Sequence, residues 1–334
     1  ITKHPILEIP EKKEVTFTWN KKNMTGYEGE MISSALFANG IHIFGHHPKD
    51  NSPQGMFCAN GQCSQCLVIA DGLPVKSCMT PLSEGMVVGS VEGLPRLPAD
   101  DTRPRIRSVD ITEVDVLIVG AGPAGLAAAV ELGKLGVKTL IIDDKDRAGG
   151  KLVLQTHKFF GSVEDSYAGT RGFEIAAILE EEIAKLDSVE IWLNTTAVGV
   201  FSDKIIGAVH NAKTGRYRQI KPKKLMIATG AREKMLSFPG NTLPGVYGAG
   251  AFQTLVNRDL IKSSQKVLIV GGGNVGLIAG YHAIQAGIEV VALIEALPQV
   301  GGYKVHADKL KRLGVPILTG HTVTAAGGRE KVET

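Results

Sequence analysis

Four cysteines are the residues of this sequence whose types and spacing point most directly to chemistry. They follow the pattern Cys58-x4-Cys63-x2-Cys66-x11-Cys78, and no other cysteine occurs in the chain. Three clustered thiolates followed by a remote fourth are the ligand pattern of plant-type [2Fe-2S] centres. The alternative is a structural zinc site, which usually presents two C-x2-C-like pairs around one ion. We therefore predict a [2Fe-2S] cluster on Cys58, Cys63, Cys66 and Cys78, with zinc as the less favoured reading.

The residues around the cysteines predict a small domain that would position them. Segments 14–18 and 24–27 have the pattern of a strand hairpin, and 31–39 that of a short helix closed by Gly40. Further short strands are predicted at 67–70 and 87–91. This order of elements is typical of a β-grasp ferredoxin, whose loops surround the metal ligands.

A glycine-rich motif, Gly-Ala-Gly-Pro-Ala-Gly at 120–125, indicates a first dinucleotide site. An apolar strand precedes it, a helix follows, and the next strand ends at Asp143. The motif alone is a weak signal, but the whole order is specific for a Rossmann-type unit. Its glycines allow the tight turn, the approach of a pyrophosphate and the packing of helix on strand, while the acid accepts from ribose hydroxyls. The predicted contacts here are Gly120, Gly122, Pro123, Ala124, Gly125, Asp143 and Asp144.

The same unit is repeated later in the chain. Strand 266–270 leads into Gly-Gly-Gly-Asn-Val-Gly at 271–276, a helix to 286, and a strand that ends at Glu295. A carboxylate at this strand end would repel a 2′-phosphate, so we expect NAD rather than NADP if a nicotinamide nucleotide binds. Another adenine nucleotide, or none, remains the alternative. The predicted contacts are Gly271, Gly273, Asn274, Val275, Gly276 and Glu295.

Segments between the two motifs resemble those of flavoproteins with two dinucleotide-binding domains. The strand and turn at 224–231 resemble the Ala-Thr-Gly segment that passes close to FAD in that family, and Gly149-Gly150 resembles its second glycine doublet. The segment 195–198 resembles the one whose backbone meets the adenine. The resemblance implies FAD at the first site. It adds the predicted contacts Gly149, Gly150, Lys151, Val198, Ala228, Thr229 and Gly230.

The order of elements from 114 to 334 resembles glutathione-reductase-like flavoproteins, in which the NAD-type domain is inserted into the FAD domain. We therefore expect an α/β fold with two Rossmann-like domains preceded by a β-grasp [2Fe-2S] domain. The predicted limits are 1–93 for the cluster domain, 94–112 for a proline-rich linker, 113–262 for the FAD domain and 263–334 for the second nucleotide domain. Such proteins normally return to finish the FAD domain, so we expect a natural chain longer than this sequence, which also lacks an initial Met.

A second resemblance concerns the cysteine-bearing segment. Residues 26–30 (Gly-Tyr-Glu-Gly-Glu), 35–36 (Ala-Leu) and 40–41 (Gly-Ile), with the four cysteines, resemble the [2Fe-2S] domains of sarcosine oxidase and hydrogen cyanide synthase relatives. No C-x-x-C follows Cys78, which excludes the dithiol mechanism of disulfide reductases. The fused architecture resembles the alpha-type subunits of heteromeric amine dehydrogenases, including dye-linked proline and hydroxyproline dehydrogenases.

That resemblance implies a function and partners. It implies a redox subunit that passes electrons between FAD and the cluster while a partner flavoprotein subunit oxidises an amino acid or similar small substrate. The hetero-oligomer could include a further iron–sulfur subunit or another electron acceptor. Two alternatives are an NADH-dependent flavin and iron–sulfur reductase and a nucleotide-binding scaffold subunit.

Composition and charge bear on the kind of partner, on membrane spans and on the cell compartment. The chain has 37 basic and 34 acidic side chains, a formal net charge of +3, and no long block of like charge, so we expect no nucleic-acid partner. The uncharged stretch 267–288 is long enough to span a membrane, but its glycines and His282 favour a strand, turn and helix. The absence of a disulfide pattern predicts a cytoplasmic protein. The 40 glycines fit a chain rich in turns and nucleotide loops.

Overall fold

The computed structural model describes residues 1–103, 108–159, 161–210 and 215–334. These residues form two compact units, one of Ile1–Asp100 with Arg232–Thr334 and the other of Asp101–Ala231. Part of the predicted linker, residues 104–107, lies outside the described residues. The α/β class is confirmed.

The N-terminal part of the first unit is the expected small sheet domain. Its main sheet has five strands in the order β2-β1-β7-β5-β6, and a smaller sheet has the order β4-β3-β8. Val15, Phe17 and Trp19 alternate with more exposed neighbours on β1 and, together with Ile32 and Leu36 from α1, fill the core. The elements are β1 Glu14–Trp19, β2 Lys22–Tyr27, α1 Ile32–Ala38, β3 Gly45–His46, β4 Pro53–Gln54, β5 Leu67–Ala70, β6 Leu73–Lys76, β7 Val87–Gly89 and β8 Val91–Glu92.

The second unit carries the first glycine motif on a six-stranded sheet of order β11-β10-β9-β14-β13-β12. Strands β11, β10, β9 and β14 are parallel, whereas β14, β13 and β12 form an antiparallel meander. Ile118 and Ile141 pack towards the helices, and Leu117 and Leu140 fill the opposite face. The elements are β9 Ile111–Val119, α2 Pro123–Lys134, β10 Thr139–Ile142, a 3-10 helix Gly150–Leu154, α3 Val163–Ser166, α4 Gly172–Ile183, β11 Val189–Trp192, β12 Thr195–Val200, β13 Ile206–His210 and β14 Arg216–Ile227.

The C-terminal part of the first unit carries the second glycine motif. Its described sheet has three parallel strands in the order β15-β16-β17. The elements are α5 Ala249–Gln253, a π-helical turn Thr254–Arg258, β15 Lys266–Val270, α6 Asn274–Gln285, β16 Glu289–Glu295, α7 Lys304–Arg312 and β17 Ile317–Thr319. The uncharged stretch 267–288 therefore forms a strand, turn and helix, as expected. Within the described ranges, no helix is both long and apolar enough to cross a membrane.

One short helical segment, α5 with its π-helical continuation, joins two cores of the first unit. Ala251 and Leu255 are buried in the core of the cysteine-bearing sheet. Phe252 and Val256, one position further along, are buried in the core of the second nucleotide fold. The expected FAD domain ended at 262, but residues 232–262 lie in the same compact unit as the cysteines because this helix buries a face in each core. The functional domain limits stay a prediction.

Candidate functional site

The four cysteines are brought together by one hairpin. Cys58, Cys63 and Cys66 lie on the loop between β4 and β5, and Cys78 follows β6. Strands β5 and β6 pair antiparallel, which places the start of one beside the end of the other. The Ser77 backbone N–H and hydroxyl both donate to the Cys66 carbonyl oxygen, at 3.0 and 2.8 Å. The remote fourth cysteine is thereby held against the three-cysteine loop.

The sulfur atoms of these cysteines interact directly. The thiols of Cys63 and Cys78 hydrogen-bond to Cys58 and lower the pKa of that thiol. Donation to Cys58, and then burial, raise the pKa of Cys63. A hydrogen bond from Cys78, opposed by burial, lowers the pKa of Cys66 to about 7, and Cys78 itself has a raised pKa because it donates to Cys58 and Cys66. The site therefore favours a share of thiolate, the form that binds metal.

Backbone amides complete the surroundings of the sulfurs. Cys58 accepts from the N–H groups of Asn60 and Cys63, and Cys78 accepts from that of Gly61. Cys58 and Cys63 are partly exposed, whereas Cys66 and Cys78 are buried. Amide donors to sulfur and partial burial are the features by which proteins tune iron–sulfur centres.

The zinc alternative would use the same four side chains. Within the described ranges, no group of three or more His, Cys, Asp or Glu side chains is already placed around one point as a metal site. The sulfurs form a series of contacts instead, with Cys58 touching Cys63 and Cys78, and Cys78 touching Cys66. Four cysteines are the donor set of a [2Fe-2S] cluster, two on each iron, and also that of a tetrahedral zinc ion, so the spacing of the cysteines, and not these contacts, favours iron.

The first glycine motif connects β9 to α2 as expected. The N–H of Ala121 donates to one carboxylate oxygen of Asp143 at 2.7 Å, and the N–H of Lys145 donates to the other at 2.9 Å. Burial raises the pKa of Asp143. Helix α2 begins at Pro123, with Gly122 as its N-cap and no atom near the position of a Gly122 side chain. With no side chain at Gly122, an anionic ligand can approach the N-terminus of the helix closely, the arrangement that binds pyrophosphates.

Two further predicted segments of the FAD site lie at this turn. The Gly149 N–H donates to the Ala121 carbonyl at 2.7 Å, and Gly150 lies so close to Gly122 that an added Cβ would be 2.9 Å from its Cα. Ala228 follows β14, and its N–H donates to the Val119 carbonyl at 2.8 Å. The structure therefore assembles these separate stretches of sequence around one turn.

Other predicted FAD contacts lie further from the turn. Strand β12 begins beside the acid, since Thr195 N–H donates to the Asp143 carbonyl at 2.7 Å, but Val198 lies three residues further along and is exposed. Lys151 lies in the 3-10 helix that follows the doublet. The Asp144 carboxylate forms an ion pair with Lys145 at 2.6 Å. Direct roles for these three residues remain predictions.

The second motif reproduces the local geometry of the first. The N–H groups of Gly272 and Leu297 donate to the Glu295 carboxylate at 2.7 and 2.9 Å. The bond from Leu297, followed by that from Gly272, lowers the pKa of Glu295. Asn274, the first residue of α6, accepts the Tyr303 N–H on its side-chain oxygen at 2.7 Å.

A glycine doublet also follows the second motif, and it was not among the predicted site residues. Gly301 and Gly302 stand six and seven residues after Glu295, the same spacing as Gly149 and Gly150 after Asp143. The Gly302 N–H donates to the Gly272 carbonyl at 2.9 Å. This internal repeat was readable in the sequence and extends beyond the motif itself.

Comparison with known proteins identifies the class. Residues 114–334 match the family described as pyridine nucleotide-disulphide oxidoreductase, and residues 12–93 match the 2Fe-2S iron-sulfur cluster binding domain. The chain belongs to the pyridine nucleotide-disulphide oxidoreductase family. The expected cofactor pair, FAD and a [2Fe-2S] cluster, is supported by these two matches.

Individual relatives agree with the resemblance seen in the sequence. The chain is 25% identical to sarcosine oxidase subunit alpha of Rhizobium meliloti, over 86% of this chain and 35% of that protein. It is 30% identical to hydrogen cyanide synthase subunit HcnB of Pseudomonas protegens, over 54% of this chain and 38% of that protein. The chain thus spans about a third of the length of these curated relatives.

A solved structure shares the fold over almost the whole chain. L-Proline dehydrogenase from P. horikoshii superposes with a TM-score of 0.70 at 23% identity, covering 99% of this chain and 58% of that one. At this identity the match speaks for the fold alone. Together with the two family matches, it confirms the expected order of a ferredoxin-like domain followed by Rossmann-type domains.

Proposed function

We propose that this chain is a redox subunit of a multi-subunit flavoprotein dehydrogenase and couples FAD at the first glycine motif to a [2Fe-2S] cluster on the four cysteines. The carrying observation is that the four sulfurs meet in one amide-lined site of a chain that also holds a complete dinucleotide motif. Bound FAD exchanges one or two electrons and the cluster one, so the pair can join two-electron and one-electron chemistry.

Each group of residues has a distinct part in this proposal. Cys58, Cys63, Cys66 and Cys78 hold the cluster. The open N-terminus of α2 at Gly122 binds the pyrophosphate of FAD, and Asp143 orients the glycine turn and accepts from the ribose. The segment that begins at Ala228 borders the same ligand.

The substrate and partner are inferred from the relatives. Sarcosine oxidase subunit alpha and HcnB are each named as one subunit of a larger enzyme. We infer that an amino acid or similar small substrate is oxidised on a partner flavoprotein subunit, and that electrons pass through this chain to a further iron–sulfur subunit or another acceptor. The four unpaired cysteines suit a reducing compartment, and we place the complex in the cytoplasm.

A second candidate function is favoured by the second motif. Glu295 is held at the end of β16 by two N–H bonds, in the place where a nicotinamide nucleotide would present its adenosine ribose. The chain would then be an NADH-dependent reductase. Rapid bleaching of the visible flavin bands by NADH without any partner would support this function, and bleaching only by an amino acid with a second subunit would support the first.

The decisive experiment is purification from the native source, with identification of co-purifying chains and a visible spectrum. We expect flavin bands, a [2Fe-2S] shoulder and a second flavoprotein subunit. A colourless preparation that contains zinc would contradict both redox functions.

Cys63→Ser tests the route through the cysteines, with Ser64→Ala, a change at the neighbouring exposed position, as the matched control. We expect loss of iron and of electron transfer to the natural acceptor in the cysteine variant, with FAD retained. Iron loss combined with unchanged electron transfer would show that the proposed route is wrong.

A further inference from the structure

Lys76 is a charged residue beside the cysteine loop that the cofactor assignments do not use. It is the last residue of β6 and stands two positions before Cys78. Its ammonium group donates a hydrogen bond to the Gly61 carbonyl oxygen, midway along the loop from Cys58 to Cys63. The two residues are 15 positions apart, so the contact is made by the tertiary fold and not by a local turn.

The segment that carries Lys76 is itself firmly placed. Its carbonyl oxygen accepts from the Met79 N–H at 2.9 Å and from the Thr80 hydroxyl at 3.0 Å. The following residue, Ser77, donates twice to Cys66. Lys76 therefore extends from a fixed backbone, and less of its conformational freedom remains to be lost in reaching Gly61.

Gly61 connects Lys76 to a sulfur atom. The Gly61 N–H donates to Cys78, while the Gly61 carbonyl accepts from Lys76. Met79 covers the same glycine, since a Cβ added there would lie 3.1 Å from the Met79 Cγ. The loop is thus held from both sides by residues 76–79, the segment that contains the fourth cysteine.

We propose that Lys76 is a positioning residue that holds the Gly61 amide on Cys78 and places a positive charge beside the cluster, which raises its reduction potential. The proposal rests on the proposed function in one respect, that the four cysteines carry a [2Fe-2S] centre. Reduction adds one negative charge to that centre. A nearby cation stabilises the reduced form more than the oxidised form, and hydrogen bonds to sulfur act in the same direction.

The test compares three variants of the holoprotein: Lys76→Met, Lys76→Arg and Lys22→Met. Lys22 is an exposed lysine on β2, at the opposite edge of the five-stranded sheet from β6. Four strand spacings separate these edges by roughly 19 Å, which exceeds the screening length of about 8 Å at physiological salt. Loss of the Lys22 charge changes the net charge equally without acting on the cluster.

The first measurement is the iron content. The second is the midpoint potential of the cluster, which is monitored through the electron paramagnetic resonance signal of the reduced centre. We expect Lys76→Met to shift the reduction equilibrium about threefold to tenfold towards the oxidised form, where tenfold corresponds to about 59 mV. Lys76→Arg and Lys22→Met are expected to remain within about twofold of the unaltered protein, or about 18 mV.

An unchanged potential in an iron-loaded Lys76→Met protein would overturn the proposal, and so would an equal shift in Lys22→Met. If Lys76→Met fails to retain iron, the Lys76→Arg variant is the deciding test. A Lys76→Arg protein with full iron and an unchanged cluster potential supports the proposal. Loss of iron in both Lys76 variants overturns it. An unaltered protein without any cluster would instead contradict the proposed function, so the two failures are distinguishable.

Discussion

The first glycine motif lies in a compact unit of its own, Asp101–Ala231, whereas the second shares a unit with the cysteine-bearing sheet. Their local structures nevertheless coincide. In each, the amide after the first glycine donates at 2.7 Å to the acid at the end of the next strand, Asp143 or Glu295. In each, the amide two residues beyond the acid donates to its other oxygen at 2.9 Å.

The surroundings of the two motifs differ. A Cβ on Gly120 would overlap the Ala228 carbonyl oxygen, while the equivalent position on Gly271 meets open space. The first sheet has six strands, and the second has three described strands with Leu268 and Val270 exposed. Accordingly, burial raises the pKa of Asp143, whereas backbone hydrogen bonds lower that of Glu295. The local sequence determines the turn and its hydrogen bonds, whereas the neighbouring elements determine whether an added side chain fits at the turn.

The largest difference is expected between Gly120→Ala and Gly271→Ala. Both residues have positive φ, +112° and +105°, so both changes introduce strain of about 1–2 kcal/mol. Only the added methyl group of Gly120→Ala also collides with a backbone carbonyl. We expect this change to lower the free energy of unfolding by about 4 kcal/mol in all and to prevent FAD binding. Denaturant unfolding can be followed unit by unit because the two tryptophans, Trp19 and Trp192, lie in different units.

Gly125→Ala and Gly276→Ala are the controls for that comparison. A Cβ at either position would overlap the carbonyl oxygen of its own motif's first glycine, so we expect similar losses of stability. Equal losses for Gly120→Ala and Gly271→Ala would show that the two turns have the same surroundings in solution.

A somewhat smaller effect is expected from Leu255→Ala and Val256→Ala. These neighbours face different cores of the first unit, and their truncation is expected to cost about 3 and about 2 kcal/mol. If the second nucleotide fold and the cysteine-bearing sheet unfold together, both variants lower the denaturant midpoint of the same transition, measured by Trp19 fluorescence. A Val256→Ala protein with an unchanged Trp19 transition would show that the two folds unfold separately.

The smallest effect concerns pH and has opposite signs at the two acids. Because the pKa of Asp143 is raised, its unit loses stability as pH rises from the ordinary value of 3.8 towards the raised one. Because the pKa of Glu295 is lowered, its contribution is present above the ordinary value of 4.5 and is lost as pH falls below it.

Asp143→Asn and Glu295→Gln should each remove one of these dependences. The free energy of unfolding of the cofactor-depleted protein is measured with denaturant between about pH 3 and pH 6. Trp192 fluorescence reports the unit that contains Asp143, and Trp19 fluorescence reports the unit that contains Glu295. The same sign of pH dependence at both acids would contradict the contrast in their surroundings.

Much of the candidate site could be predicted because its signals are local. The cysteine spacing, the strands and helices around both motifs, and the acids at the strand ends are patterns within short windows. The expected strands 14–18 and 24–27 lie within β1 and β2, and the helix expected at 31–39 contains α1. The repeated doublet at Gly301 could also have been predicted, since its spacing from Glu295 copies that of the first motif.

By itself, the sequence determined the cofactor classes, the order of the folds and the family, because glycines, cysteines and periodic apolar residues act through neighbouring positions. Only the tertiary structure decided that Lys76 reaches Gly61, that Leu255 and Val256 serve two cores, and that Asp143 and Glu295 have pKa values shifted in opposite directions. Each of these depends on burial or contact between residues distant in the chain, and the local pattern of residue types carries no record of such contacts.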